Sequence, residues 1–138
     1  MLKLSPEQLL EAIEFLYEAI EILESVLGEI KSSSMRGFVI SESLAKAWYK
    51  VNCCRIHTEP DVNLEELNLE AMGFINDAKS MMDSLMSWQK GMTRHGKINI
   101  SSCLEAAMGN LRQVLCMLED WLHYLQSEQA STTNIHPA

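Results

Sequence analysis

The sequence predicts an all-α fold: an antiparallel up-down four-helix bundle with three long helices and a short second helix. Apolar residues recur at alternating steps of three and four along three long stretches, the spacing that lines one face of a helix. With six glycines and three prolines in 138 residues, the chain also lacks the turn punctuation of a β-rich fold. Apolar residues make up 47% and charged residues 22%, so a packed core is expected rather than disorder. A chain of this length buries roughly two thirds of its unfolded surface as one domain. We expect that domain over residues 1–128, with 129–138 as a flexible tail.

The segment LSPEQL has helix-opening chemistry at each position: Ser5 as cap, Pro6 in the first turn, Gln8 completing a capping box, and Leu4 placed to staple onto Leu9. The first helix therefore begins at Pro6, and its seam is Leu9, Ile13, Leu16, Ile20, Leu23, Leu27 and Ile30. A second row beside it, Ala12, Phe15, Ala19, Ile22 and Val26, makes the apolar face wider than a two-stranded seam, as a bundle needs. Small, polar and glycine residues over 31–41 read as a loop. Ser41 then caps a shorter helix over 42–57, with Leu44, Trp48 and Val51 inward, and Pro60 closes it. Asn63 with Glu66 signals the next start, giving a helix over 64–90 along Leu64, Leu67, Ala71, Phe74, Ala78, Met81, Leu85 and Trp88. Residues 91–100 read as a basic loop. Ser102 with Glu105 opens the last helix, whose seam Leu104, Met108, Leu111, Leu115, Leu118, Leu122 and Leu125 ends near Ser127.

The net charge is −8 and is unevenly spread. Residues 1–30 carry seven glutamates against one lysine, whereas 31–57 and 90–97 are basic islands. An acidic chain is not drawn to phosphate backbones or anionic lipid, so a basic partner is favoured. No run of about 18 apolar residues spans a membrane, and glutamates interrupt the N-terminal segment where a secretory leader would be apolar. Cys53, Cys54, Cys103 and Cys116 lack C-x-x-C spacing and are expected to stay reduced, which places the chain in the cytoplasm.

Glu7, Glu11, Glu14, Glu18 and Glu21 form one stripe roughly opposite the first seam. Like charges one turn apart cost about 0.2–0.5 kcal/mol per pair, which burial of the seam at about 1.5–3 kcal/mol per large side chain outweighs. The stripe therefore survives without any catalytic purpose, and meets solvent, Lys46 and Lys50, or a basic partner. Its E-x-x-E spacing has the look of a magnesium site of the all-α nucleotide pyrophosphatases. That chemistry needs a second, inward carboxylate pair on a facing helix, which 64–127 does not supply. Di-iron bundles need two E-x-x-H sets, and only Asp120-x-x-His123 comes near. A zinc site from Cys54, His57, Cys116 and His123 lacks regular spacing. Nucleic acid would have to meet Lys46, Lys50 and Arg55 on helix 42–57, or Lys90, Arg94 and Lys97 in loop 90–97, without a second basic helix beside them. No metal or cofactor is expected.

Nine methionines are the most unusual component. Met72, Met82 and Met86 lie with Ile75 in a row beside the third seam, where they fill a soft core or form an adaptable apolar face for a partner or a second copy. The expected function is a non-enzymatic protein–protein interaction module: an adaptor, regulatory inhibitor or chaperone-like factor. It would use Glu7, Glu11, Glu14, Glu18 and Glu21 for a basic protein and Met72, Met82 and Met86 for apolar contact. A homodimer is the expected assembly. A metal-dependent nucleotide hydrolase is the alternative, and nucleic-acid binding a minor one.

Overall fold

The computed structural model describes residues 4–32, 37–87 and 94–135, with side chains for all of these except 85–87 and 130–135. Four helices account for nearly all of them: α1 (Pro6–Ser32), α2 (Gly37–Thr58), α3 (Val62–Ser87) and α4 (Arg94–Ile135). Each helix packs on its chain neighbours and α1 closes against α4, while the diagonal pairs α1/α3 and α2/α4 do not approach one another among the described residues. Four helices around a shared core are a bundle.

α1 begins where its capping box places it. Gln8 N donates to Ser5 Oγ at 3.1 Å and Ser5 N to Gln8 Oε1 at 3.0 Å, so two amides that the first turn leaves open are satisfied. Leu9, Leu16 and Leu23 are fully buried, with Ile13, Ile20 and Ile30 nearly so. Leu4 packs against the same core.

α2 is longer than the short helix expected over 42–57, because it starts at Gly37 and has 22 residues. Ile40 explains the difference: it lies four residues before Leu44 and both are fully buried, so core packing extends the helix over 37–41 of the expected loop. Ser41 is consequently not a cap. It sits inside the helix and donates its hydroxyl to Asp83 Oδ1 on α3 at 2.6 Å. At the other end a three-residue link containing Pro60 turns the chain, with Asp61 N donating to Thr58 O at 3.1 Å.

Asp61, not Asn63, caps α3. Its carboxylate accepts the amide of Leu64 at 3.0 Å and its carbonyl that of Glu65 at 2.9 Å, which moves the start to Val62. α4 likewise begins at Arg94 rather than Ser102, absorbing 94–100 of the expected loop. Ile100 is fully buried one turn before Leu104, so the seam extends back past the capping box, and Ser101 and Ser102 are interior helix residues. At 42 residues α4 is about 63 Å long, against about 40 Å for α1. It runs to Ile135, beyond the expected end near Ser127, and no residue from Glu119 to Gln129 is fully covered. Trp88, Lys90 and the side chains of Leu85 and Met86 lie outside the described residues.

One polar group crosses the core. Asn68 on α3 is fully buried and donates to Thr58 Oγ1 at 3.2 Å, and Thr58 in turn donates to the Cys54 carbonyl at 3.0 Å. Asn68 Oδ1 has no partner. An unsatisfied buried acceptor costs about 1–3 kcal/mol, so this chain of bonds is kept at the expense of stability.

Two substitutions check this account of the core. Leu16→Ala is expected to lower the unfolding free energy in urea by about 2–5 kcal/mol, because it empties a site with no solvent access. Gly73→Ala should raise it by about 0.5–1 kcal/mol, since a methyl group there meets nothing within 4 Å and alanine is the better helix former.

Candidate functional site

The outer surface of α1 carries the densest charge in the chain, and the 3.6-residue period divides it into rows that repeat every seven residues. Each row has its own fate. Glu11 and Glu18 turn towards α2, where Glu11 Oε2 lies 3.3 Å from His57 Nε2 and Glu18 Oε2 lies 2.6 Å from Lys50 Nζ. Phe15 sits between the two pairs, with the Lys50 ammonium 5.7 Å from its ring centroid and the His57 ring centroid at 5.9 Å in a T-shaped contact. His57 Nδ1 meets the Cys53 carbonyl at 3.0 Å, which orients the ring. The hydrogen bond that Lys50 donates to Glu18 holds its ammonium above the usual lysine range despite the opposing effect of partial burial.

The row Tyr17, Glu24, Lys31 turns towards α4. Tyr17 donates to Glu119 Oε2 at 3.0 Å, Arg112 Nη2 meets Glu24 Oε1 at 2.8 Å, and Lys31 Nζ lies 3.8 Å from Glu105 Oε1. The Glu119 bond pushes the Tyr17 phenol above its usual value. Contacts this exposed are screened by water, so they set side-chain positions more than stability.

Between these rows lie Glu7, Glu14 and Glu21. All three are exposed, and none has a hydrogen-bond or ion-pair partner among the described residues. Glu21 stands on a ridge with a groove on either side. One, of about 390 Å³, lies between α1 and α2 and includes Ile22, Val26, Glu29 and Ser43. The other, of about 350 Å³, lies between α1 and α4 and includes Tyr17, Glu24 and Arg112. The expected five-residue stripe is thus divided: Glu11 and Glu18 are engaged within the bundle, and Glu7, Glu14 and Glu21 remain open.

The methionines are elsewhere. Met72 and Met82 are 7% and 1% exposed, inside the core with Ile75, so they form no outward face. Their row lies on the side of α3 that a closed bundle turns to a neighbouring helix. The Met86 side chain lies outside the described residues. Exposed apolar side chains are found instead at Leu10 and Tyr17 on α1, at Phe38, Tyr49 and Ile56 on α2, and at Val62 and Leu69 on α3. Leu10 and Tyr17, each three residues after one glutamate and four before the next, are a signal present in the sequence outside the α1 seam.

No group of three or more His, Cys, Asp or Glu side chains that could hold a metal ion is found among the described residues. The four residues considered for zinc are split between α2 and α4, which stand diagonally across the bundle. Burial pushes the Cys54 thiol up to about 12, which removes it as a nucleophile near neutral pH, and burial also raises Cys103. The basic island on α2 is largely spent internally, because Lys50 pairs with Glu18 and Arg55 with Glu65 at 3.2 Å and with Asn52 at 3.0 Å. Among the described residues no helix is long and apolar enough to cross a membrane. No known protein family, characterised protein or solved structure matches the chain.

Asp83 offers a check on the packing of α2 against α3. Its carboxyl is held below the usual range by the Lys79 ammonium at 2.8 Å and then by the Ser41 hydroxyl. A carboxyl whose folded value is depressed stabilises the fold above its unfolded value, near pH 3.9, and that contribution is lost as pH falls through the folded value. Carboxyl carbon shifts followed by NMR should therefore place the Asp83 midpoint below that of a free aspartate, and Lys79→Met should raise it. An unshifted midpoint in the wild-type chain would show that the contact with Lys79 and Ser41 does not form in solution.

Proposed function

We propose that this chain is a non-enzymatic protein–protein interaction module, an adaptor, regulatory inhibitor or chaperone-like factor, that presents the outer ridge of α1 to a basic surface on another protein. The observation that carries the reading is the contrast between neighbouring rows of one helix. Glu11 and Glu18 are matched by α2, and Tyr17, Glu24 and Lys31 by α4, whereas Glu7, Glu14 and Glu21 between them are matched by nothing among the described residues. Uncompensated charge of one sign steers a partner of the opposite sign and speeds encounter.

The proposal includes the antiparallel up-down arrangement. Its support is the order of paired residues: along α1 the positions 17, 24 and 31 meet 119, 112 and 105 of α4, and positions 11 and 18 meet 57 and 50 of α2. In each case one helix is read upwards and the other downwards. The four free cysteines support a reducing, cytoplasmic setting. Hydrolase chemistry finds no support in the same residues, since Glu11 and Glu18 lie on the outer surface and bind His57 and Lys50.

Two measurements bear on the proposal. Co-purification at low salt should recover a partner whose affinity falls at least about tenfold on Glu14→Lys with Glu21→Lys, while the same charge change at Glu66 and Glu70 on α3 leaves it intact. Equal loss from both pairs would reduce the effect to net charge and remove the ridge from consideration. Self-association is a second expectation, favoured by Phe38, Tyr49 and Ile56, which are 70%, 60% and 56% exposed on α2. Light scattering should give twice the chain mass of 15.6 kDa, and a monomer mass rules the homodimer out.

A further inference from the structure

The open row of α1 is half of a longer pattern. Glu7, Leu10, Glu14, Tyr17 and Glu21 follow one another at steps of 3, 4, 3 and 4, which is the spacing of a helix–helix seam, and this seam lies opposite the core with Tyr17 on its α4 side. Leu10 is 50% and Tyr17 51% exposed, although the opposite side of the same helix already supplies a complete apolar face to the core. The Tyr17 ring is held in place by the bond from its hydroxyl to Glu119. Acidic and apolar positions therefore alternate along an uncovered helix face, with a groove on each flank of Glu21.

We infer that the partner on this face is a basic amphipathic helix lying along α1. It carries Lys or Arg at seven-residue spacing opposite Glu7, Glu14 and Glu21, and apolar side chains opposite Leu10 and Tyr17. The inference rests on the reading of the acidic ridge as a protein-binding surface, and it specifies that partner's shape and chemistry. The fourteen-residue separation of Glu7 and Glu21 corresponds to about 21 Å of helix, so a partner segment of about four turns covers the face. Charge selects between occupants. A second copy laid on the same face would set glutamate against glutamate, whereas a basic helix neutralises each one, and like charges across such a seam disfavour pairing. The apolar positions give what charge alone does not, a contact that excludes water and slows dissociation.

The test uses the full chain and two fluorescent three-heptad peptides of identical composition. One has Lys and Leu placed in register with the α1 face, and the other has them scrambled. Anisotropy at low salt should show the in-register peptide binding about tenfold more tightly than the scrambled one, and weakening as salt is raised. Leu10→Ser should lose about tenfold in affinity for the in-register peptide with unchanged far-UV circular dichroism, and Glu14→Gln should reduce the salt dependence. Tyr17→Phe, which keeps the ring, should retain most of the binding and guards against misreading a folding defect. If both peptides bind equally and Leu10→Ser is silent, the helical partner is overturned while the basic-partner reading survives. If neither peptide binds at low salt, the inference is overturned and the acidic-ridge reading loses its support as well. A dimer of the chain that Leu10→Ser converts to monomer would place a second copy on the face and overturn the inference in favour of self-association.

Discussion

The burial of one face of α1 between α2 and α4 is the constraint on which the rest of the structure depends. Nine of its residues are buried, from Leu9 to Ile30, and at about 25 cal/mol per Å² of apolar surface removed from water this contact dominates any pair of surface charges. Once that face is committed, every other row of α1 has a determined direction. Rows on one flank meet α2, rows on the other meet α4, and the row opposite the core meets solvent. The glutamates have no say in this, because each like-charge repulsion is worth only a fraction of a buried leucine.

The same hierarchy explains why short-range signals were overridden at the starts of α2 and α4. A side-chain cap is worth about 1 kcal/mol, and so is a change in helix propensity at one position. Ile40 and Ile100 are each fully buried, a gain of about 1.5–3 kcal/mol, so α2 and α4 extend through Ser41 and Ser102 to bring them in. The hydroxyl of Ser41 is then free to bind Asp83 across the α2/α3 contact. Where packing made no competing demand, as at Ser5 and Gln8, the local signature decided the boundary unaltered.

Polar groups inside the bundle act against this apolar background. Asn68, Thr58 and Cys54 form a buried chain linking α2 to α3, with one acceptor left open. A buried amide of this kind favours one pairing of helices over its neighbours by a turn, since any slip leaves more groups without partners. Outside the core, Glu11, Phe15, Glu18, Lys50 and His57 do the corresponding work for α1 against α2, with two carboxylates, an ammonium, an imidazole and a phenyl ring interleaved. What is left on the outside of α1 is surface that neither core nor neighbour requires, and the functional proposal rests there.

The sequence by itself determined that the chain is helical, which residues form the α1 seam, where α1 begins, and that the glutamates lie opposite the core. These follow from periodicity and capping, which act within a few residues and need no knowledge of distant segments. Only the tertiary structure decided which glutamates are open. Glu11 and Glu14 are three residues apart and chemically the same, yet one meets His57 and the other meets nothing described, because the choice depends on which helix stands on which side of α1. The placement of Met72 and Met82 was settled in the same way. A row beside an apolar seam is either an outer face or a second inner one, and the decision comes from the neighbouring helices that close over it.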